Sequence, residues 1–285
     1  MRYISISHPR PLSLGSRKLT ISHYSRSMKQ GFTLLELSIV LVIIGLVIGG
    51  ITVGADMIRS AELNSVISDL NRYRVAVNTF KLKYNALPGD MKNAEAYWGT
   101  MSSGTCPNAT AGNGTQTCNG NGDGRVVVGG ASGQASEAFT FWQHLSSAEL
   151  ISGNYSGIAG STHATHSILN ENIPSSSLVG AGWYLITVNL QAPGTYFPGS
   201  YGNVLYYGVP SVNGLVTGWP YGSIIRPIEA YGIDVKSDDG SPAHGKTRVY
   251  RNLNPNCRTS QDAANAEYSL TNNDIDCAMV FLADF

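Results

Sequence analysis

Acidic side chains are missing from the first 31 positions, which hold six basic residues: Arg2, Arg10, Arg17, Lys18, Arg26 and Lys29. The remainder carries 13 basic against 19 acidic residues, a net charge of −6, so the formal balance of zero hides a basic start and a mildly acidic body. That shortage of Lys and Arg in the body argues against nonspecific nucleic-acid binding, which depends on neutralising phosphates. Charge of either sign is scarce, at 13% of residues, whereas Gly (32) and Tyr (15) are plentiful. Such a composition suits a loop-rich, β-containing secreted domain better than a helical cytosolic one. No Gly-x-Ser-x-Gly elbow, singular carboxylate pair or internal repeat is found, so nothing specifies an enzyme and no cofactor is required. The 285 residues leave room for a helical stalk and one sizeable head.

Leu37–Ala55 is an apolar run of nineteen residues without a charge. About 20 apolar residues cross a hydrocarbon core as a helix. Lys29 precedes the run and Arg59 follows it. The basic start predicts a cytoplasmic N-terminus and a body outside the cytoplasm. Glu36, at the head of the run in MKQGFTLLELSIVLVIIGLV, does not suit a simple anchor. A carboxylate near the bilayer centre costs about 2.5–3.5 kcal/mol, less toward its edge, and an intramembrane acid needs a partner.

The segment Lys29-Gln-Gly-Phe-Thr-Leu-Leu-Glu36 resembles the class III signal of type IV prepilins and type II secretion pseudopilins. The resemblance implies cleavage by a membrane-embedded prepilin peptidase between Gly31 and Phe32, followed by N-methylation of Phe32. Glu36 would become the fifth mature residue, its carboxylate neutralising the Phe32 ammonium of a neighbouring subunit. Two other readings compete. One is a conventional secretory signal cut near Val53-Gly54-Ala55, against which the long core and Glu36 count. The other is a plain signal anchor.

Beyond the run, Leu63, Val66, Ile67, Leu70, Tyr73, Val77, Phe80 and Tyr84 fall in steps of three and four, one face of an amphipathic helix. A helix over 32–84 is therefore expected, apolar all round in its first half and striped in its second. Gly45, Gly49, Gly50 and Gly54 allow close helix approach, and Asn85-Ala-Leu-Pro-Gly-Asp90 should end it. The expected organisation is a leader over 1–31, a pilin-type helix over 32–84 that spans the membrane at about 37–55, and a head over 85–285.

In the head, residues 100–134 read as a long loop rich in Gly, Ser, Thr and Asn. Ser136–Leu150 reads as a helix with Phe139, Trp142 and Leu145 on one face, and Pro227–Lys236 as a second short helix. Trp183–Leu190, Val204–Val209, Thr247–Arg251 and Ala278–Leu282 read as strands. The fold class is α+β, an antiparallel sheet packed on the long helix. Four cysteines permit three pairings; proximity and an oxidising compartment favour Cys106–Cys118 and Cys257–Cys277. The second pair resembles the C-terminal disulfide loop of many pilins.

Two clusters offer oxygen ligands. Asn119, Asn121 and Asp123, before Gly124, have the spacing that opens an EF-hand-type calcium loop, but Gly130 replaces its bidentate acid. A tight Gly-Asn turn is the competing reading. Asp234, Asp238 and Asp239, before Gly240, resemble a DxKxDDGxP element of pseudopilin-like heads. The resemblance admits calcium there; a solvated turn is the alternative. Gly240–Thr247 formally matches GxxxxGK[ST], yet Arg248-Val-Tyr250 reads as a strand where a phosphate-binding helix is needed. His163 and His166 form an HxxH without a matching acid or Cys cluster.

The expected function is a structural subunit, pilin or pseudopilin, of a type IV pilus-like or type II secretion filament. Its partners would be homologous subunits, the peptidase, an inner-membrane assembly platform and, before assembly, membrane lipid. The rival is a membrane-tethered binding or adhesin domain that borrows prepilin processing. Met28-Lys-Gln-Gly31 is itself a complete short leader, and residues 1–27 show no helical or strand period. Translation is therefore expected to start at Met28. Mass spectrometry of the cellular precursor should recover no peptide from residues 1–27; finding one overturns this start.

Overall fold

Helix α1 runs Leu34–Tyr84 without interruption, because nothing in those 51 residues breaks an apolar or amphipathic helical pattern. The computed structural model describes residues 31–101, 106, 116–188, 195–212, 215–283 and 285. Residues 1–30 of the expected 1–31 leader and the strand positions 189–190 lie outside them. The chain divides into two units, one ending at Val53 and one spanning Gly54–Phe285. Within the first unit, the side chains of α1 are exposed on every face.

In the second unit α1 buries the stripe Val66, Leu70, Tyr73, Ala76, Val77 and Phe80. The flanking Leu63, Ile67 and Tyr84 pack partly against the same core. Each large apolar side chain fully removed from water contributes about 1.5–3 kcal/mol. The helix stops at Asn85, whose φ of 49° is left-handed and whose amide still bonds the Lys81 carbonyl at 2.9 Å. Gly89 then turns at φ 81°. A Cβ there would lie 2.3 Å from the Glu137 carbonyl oxygen, so only glycine lets the chain pass so close.

A short helix α2, Ala94–Trp98, precedes the loop that leads to α3, Glu137–Ser147. The sheet is antiparallel throughout. Strand β2 (Gly202–Val212) pairs with β1 (Gly182–Val188) on one side and β5 (Met279–Leu282) on the other, and β4 (Thr247–Val249) extends the sheet beyond β5. The far end of β2 turns back into β3 (Leu215–Gly222) across two register shifts. Helix α4, Pro227–Ser237, lies between β3 and β4 in sequence. It opens on Pro at its first turn, where the missing N–H has no helical partner to lose.

Tyr73 of α1 sits edge-on to Trp142 of α3 at 5.0 Å and to Trp183 of β1 at 5.6 Å. Trp183 in turn lies 5.6 Å from Phe281 of β5. These contacts join helix, helix and sheet in one core. Arg59 holds α4 to the same helix, its Nε and Nη2 donating to the two Glu229 oxygens at 2.7 and 2.8 Å. All four cysteines are paired, Cys106 with Cys118 and Cys257 with Cys277.

Three features differ from the sequence reading. Helix α3 has more than one buried face: Thr140, Gln143 and His144 are buried along with Phe139 and Trp142. Strand β3 has no counterpart in the sequence reading: Gly218, Pro220 and Gly222 interrupt it, and its pairing depends on the irregular end of β2. β4 ends at Val249, two residues earlier than expected.

The buried polar groups of α3 form a chain of hydrogen bonds. The Gly89 amide donates to His144 Nδ1 at 2.9 Å, which leaves the proton on Nε2, 2.9 Å from Thr117 Oγ1. That hydroxyl donates to Gln143 Oε1 at 2.7 Å, and Gln143 Nε2 donates to the Gln116 and Ser156 carbonyls. Burial lowers the His144 pKa to about 3, slightly opposed by the Cys118 backbone. The folded head therefore binds one proton fewer than the unfolded chain between about pH 3 and 6.5, and acid costs it stability. At about 1.4 kcal/mol per unit, moving from pH 7 to pH 5 should cut the His144 contribution by about 2 kcal/mol. Urea unfolding in detergent at the two pH values should show this as the difference between wild type and His144→Gln, since a buried acid such as Asp234, raised to about 7, titrates with the opposite sign in both proteins.

Candidate functional site

At the start of α1, Thr33 and Glu36 close a reciprocal cap. The Thr33 amide and hydroxyl each donate to Glu36 Oε2 at 2.9 Å, and the Glu36 amide donates to Thr33 Oγ1 at 3.1 Å. The Leu37 amide bonds the Thr33 carbonyl, the first helical bond. This is a capping box, Thr at the cap and Glu three residues on. It also places the carboxylate at the positive end of the helix dipole. The spacing Thr-x-x-Glu was present in the sequence, and it is the signal that would have found this local role. The cap satisfies backbone donors, but among the described residues no cation pairs with Glu36, which is exposed.

Gly31 and Phe32 precede the cap. Phe32 is 88% exposed. A Cβ added to Gly31 would meet nothing within 4 Å, and no left-handed φ demands glycine there. The same holds for Gly45, Gly49, Gly50 and Gly54 inside the helix. Each helical glycine costs about 1 kcal/mol relative to alanine, and among the described residues no contact offsets that. They form two successive Gly-xxx-Gly steps, 45–49 and 50–54, the spacing that admits close approach of another helix in a membrane. Leu34, Leu41, Leu46 and Ile51 are likewise exposed around them. One helix is long and apolar enough to cross a membrane, compatible with a single-pass anchor.

The head's oxygen-rich loops have different environments. Asp90 is buried, and its carboxylate accepts the amides of Gly122, Asp123 and Gly124, the last at 2.8 Å. Glu137 accepts those of Asn121 and Val127, both at 3.1 Å. Asn119 Oδ1 accepts the Glu95 amide, Asn121 Oδ1 that of Asp123, and Asp123 Oδ1 that of Arg125, each at 2.9 Å. Each of these oxygens thus has a backbone amide as partner, and the loop turns a set of its own amides onto Asp90.

Among the described residues, one group of His, Cys, Asp or Glu brings three ligand atoms together: Asp234, Asp238 and Asp239. His163 and His166 lie near each other, ring centroids 5.8 Å apart, without joining such a group. In Gly240–Thr247 the amides of Lys246 and Thr247 point at Asp238 Oδ2, and Thr247 begins strand β4. The amides a nucleotide phosphate would need are already taken by a carboxylate.

A family model, the prokaryotic N-terminal methylation motif, matches residues 26–52. Comparison of the chain with curated proteins and with solved structures finds no match. The motif, consistent with the type IV pilin and pseudopilin signal, implies a pilin-like protein processed as a prepilin. It points to a processing peptidase and to assembly with other pilin-type subunits.

The Asp90 cradle can be tested alone. Asp90→Asn keeps Oδ1 but turns an amide donor toward the Gly124 N–H, removing that hydrogen bond and the charge that the Gly122 and Asp123 amides meet. That should cost about 1–3 kcal/mol, read as a lower urea midpoint; an unchanged midpoint would mean the carboxylate does not organise the loop.

Proposed function

We propose that the chain is a structural filament subunit, a pilin or pseudopilin, whose residues 1–31 are a leader removed between Gly31 and Phe32. The new N-terminal Phe32 is then methylated. Residues 32–84 form the polymerising helix, which spans the inner membrane at about 37–55 with its N-terminus cytoplasmic. Residues 85–285 form the extracytoplasmic head. Before assembly the helix is solvated by lipid; an inner-membrane platform then moves it into a filament among homologous subunits. The motif's family is structural rather than enzymatic, in keeping with this role.

The observation that carries the reading is the demand for residues that this chain does not itself use. Among the described residues, Gly31 and the four helical glycines meet no neighbour, and Glu36 has only its own cap as partner. A peptidase that requires glycine before the scissile bond explains the first. Neighbouring helices explain the second, and a neighbouring Phe32 ammonium explains the third.

The experiment follows leader removal and filament assembly in cells. Wild type should begin at an N-methylated Phe32, Gly31→Ala should retain its leader, and Glu36→Ala should be processed but fail to assemble. Glu36→Gln separates the two roles of the acid, because its amide oxygen can keep the cap while the charge is lost. It should be processed normally and assemble at least about tenfold less. Normal assembly of Glu36→Gln would overturn charge neutralisation, and cleavage near Ala55 would overturn the prepilin reading.

A further inference from the structure

Helix α4 is apolar on two faces. Ala230 and Ile233 are buried in the core, yet Ile228, Tyr231 and Val235 are 46%, 38% and 51% exposed. Their spacing of three and four places them in one stripe along the solvent side. A helix that merely covers a domain shows polar residues there. Gly232, beside the stripe, has open space where a Cβ would lie. Next to it a groove of about 160 Å³ runs between α1 and α4, walled by Leu63, Ile67, Ile228 and Ile233. Leaving such a surface to water is unfavourable.

The place of α4 along α1 says what lies against the stripe. Arg59 holds Glu229, the neighbour of Ile228, through two hydrogen bonds of 2.7 and 2.8 Å. Lys236, near the other end of α4, donates to Asn64 Oδ1 at 2.8 Å. Arg59 follows Ala55, the end of the uncharged run, by four residues, or about 6 Å of helix. Even a fully extended chain would put no more than about 14 Å between them. The headgroup layer on each side of a bilayer is about 5–8 Å thick, so a run that ends near Ala55 sets Arg59 within it. The first turn of α4 then lies beside the headgroups. Asn64, about 14 Å along the helix from Ala55, carries the far end of α4 above them.

The charges around the stripe suit the same neighbour. Glu229 is neutralised by Arg59 and Asp234 is buried, while Arg226 and Lys236 are exposed at either end of α4. Asp238 and Asp239 follow beyond its far end. Exposed cations flanking an apolar stripe mark a helix that lies on anionic lipid, and tyrosine is favoured at that depth. We propose that, before assembly, the outward face of α4 rests on the outer leaflet of the inner membrane. Ile228 inserts between headgroups, Tyr231 stands level with them and Val235 lies at their edge. The contact fixes the height and tilt of the head on its anchor, so that subunits reach the assembly machinery in one orientation. This inference rests on the reading that residues 37–55 span the membrane.

The test uses the full chain reconstituted in vesicles of phosphatidylethanolamine and phosphatidylglycerol, with or without bromine on the upper acyl chains. Tryptophan is placed singly at exposed positions, and the emission of wild type is subtracted. Bromine should lower the emission of Ile228→Trp at least about twofold and that of Tyr231→Trp somewhat less. Leu82→Trp, about 40 Å along α1 from Ala55, should be unaffected. Ile44→Trp, inside the run, should be quenched in the same vesicles and reports on the membrane span by itself. Quenching at Ile44→Trp without any at Ile228→Trp or Tyr231→Trp overturns the docking and leaves the span intact; the stripe would then meet a second copy. No quenching at Ile44→Trp overturns the span and the docking together. Ile228→Glu combined with Tyr231→Trp should lower the quenching at position 231 at least about twofold, because a charge opposes insertion. Unaltered quenching in that double variant also overturns the docking.

Discussion

Tyr73 and the stripe around it are the constraint on which the head depends. Leu70, Val77 and Phe80 are fully buried with it, and its ring meets Trp142 and Trp183 edge-on. Without α1 the inner faces of α3 and β1 would be open to water, so the second half of α1 is part of the head's core. The sheet needs this support because antiparallel strands with one uncovered apolar face are marginal on their own. Arg59 and Glu229 add a second tie, a bidentate pair with Glu229 mostly removed from solvent, where geometry rather than charge count decides its value.

The first half of the same helix follows a different logic. Among the described residues its side chains are exposed and its glycines relieve no crowding. A sequence that accepts both the loss of helix propensity and an exposed apolar surface is adapted to surroundings outside itself, lipid or other helices. Glu36 combines the two. Its cap with Thr33 is local and complete, while its charge remains available to a group beyond the chain.

Carboxylates organise the head's long loops by capturing backbone amides. Asp90 gathers three and Asp238 two, a use of charge suited to a domain with few salt bridges and many glycines. Each amide so held is one that would otherwise need water. Asp234 is more deeply buried, and burial raises its pKa to about 7, hydrogen bonds from the Tyr268 hydroxyl and the Gly240 amide opposing the shift and the nearby Asp239 and Asp238 adding to it.

The amino-acid sequence alone determined the two-part helix, because a period of 3.6 and an uncharged run are local patterns that each residue reports for itself. It also determined the prepilin signal, carried by Gly31, Phe32 and Glu36 over six positions, and the α+β class, since helical periods and β-branched runs alternate along the head. Tertiary structure decided what depends on distant partners. Thr140, Gln143 and His144 read as the polar face of α3 until residues from Gly89, Thr117 and Ser156 enclose them. β3 exists because the end of β2 offers it hydrogen bonds, not because Gly218 and Pro220 favour a strand. The loop at 119–125 has ligand spacing, yet a carboxylate thirty residues earlier turns its amides inward. Spacing orders oxygens along the chain; only the packed fold decides which of them meet a proton donor.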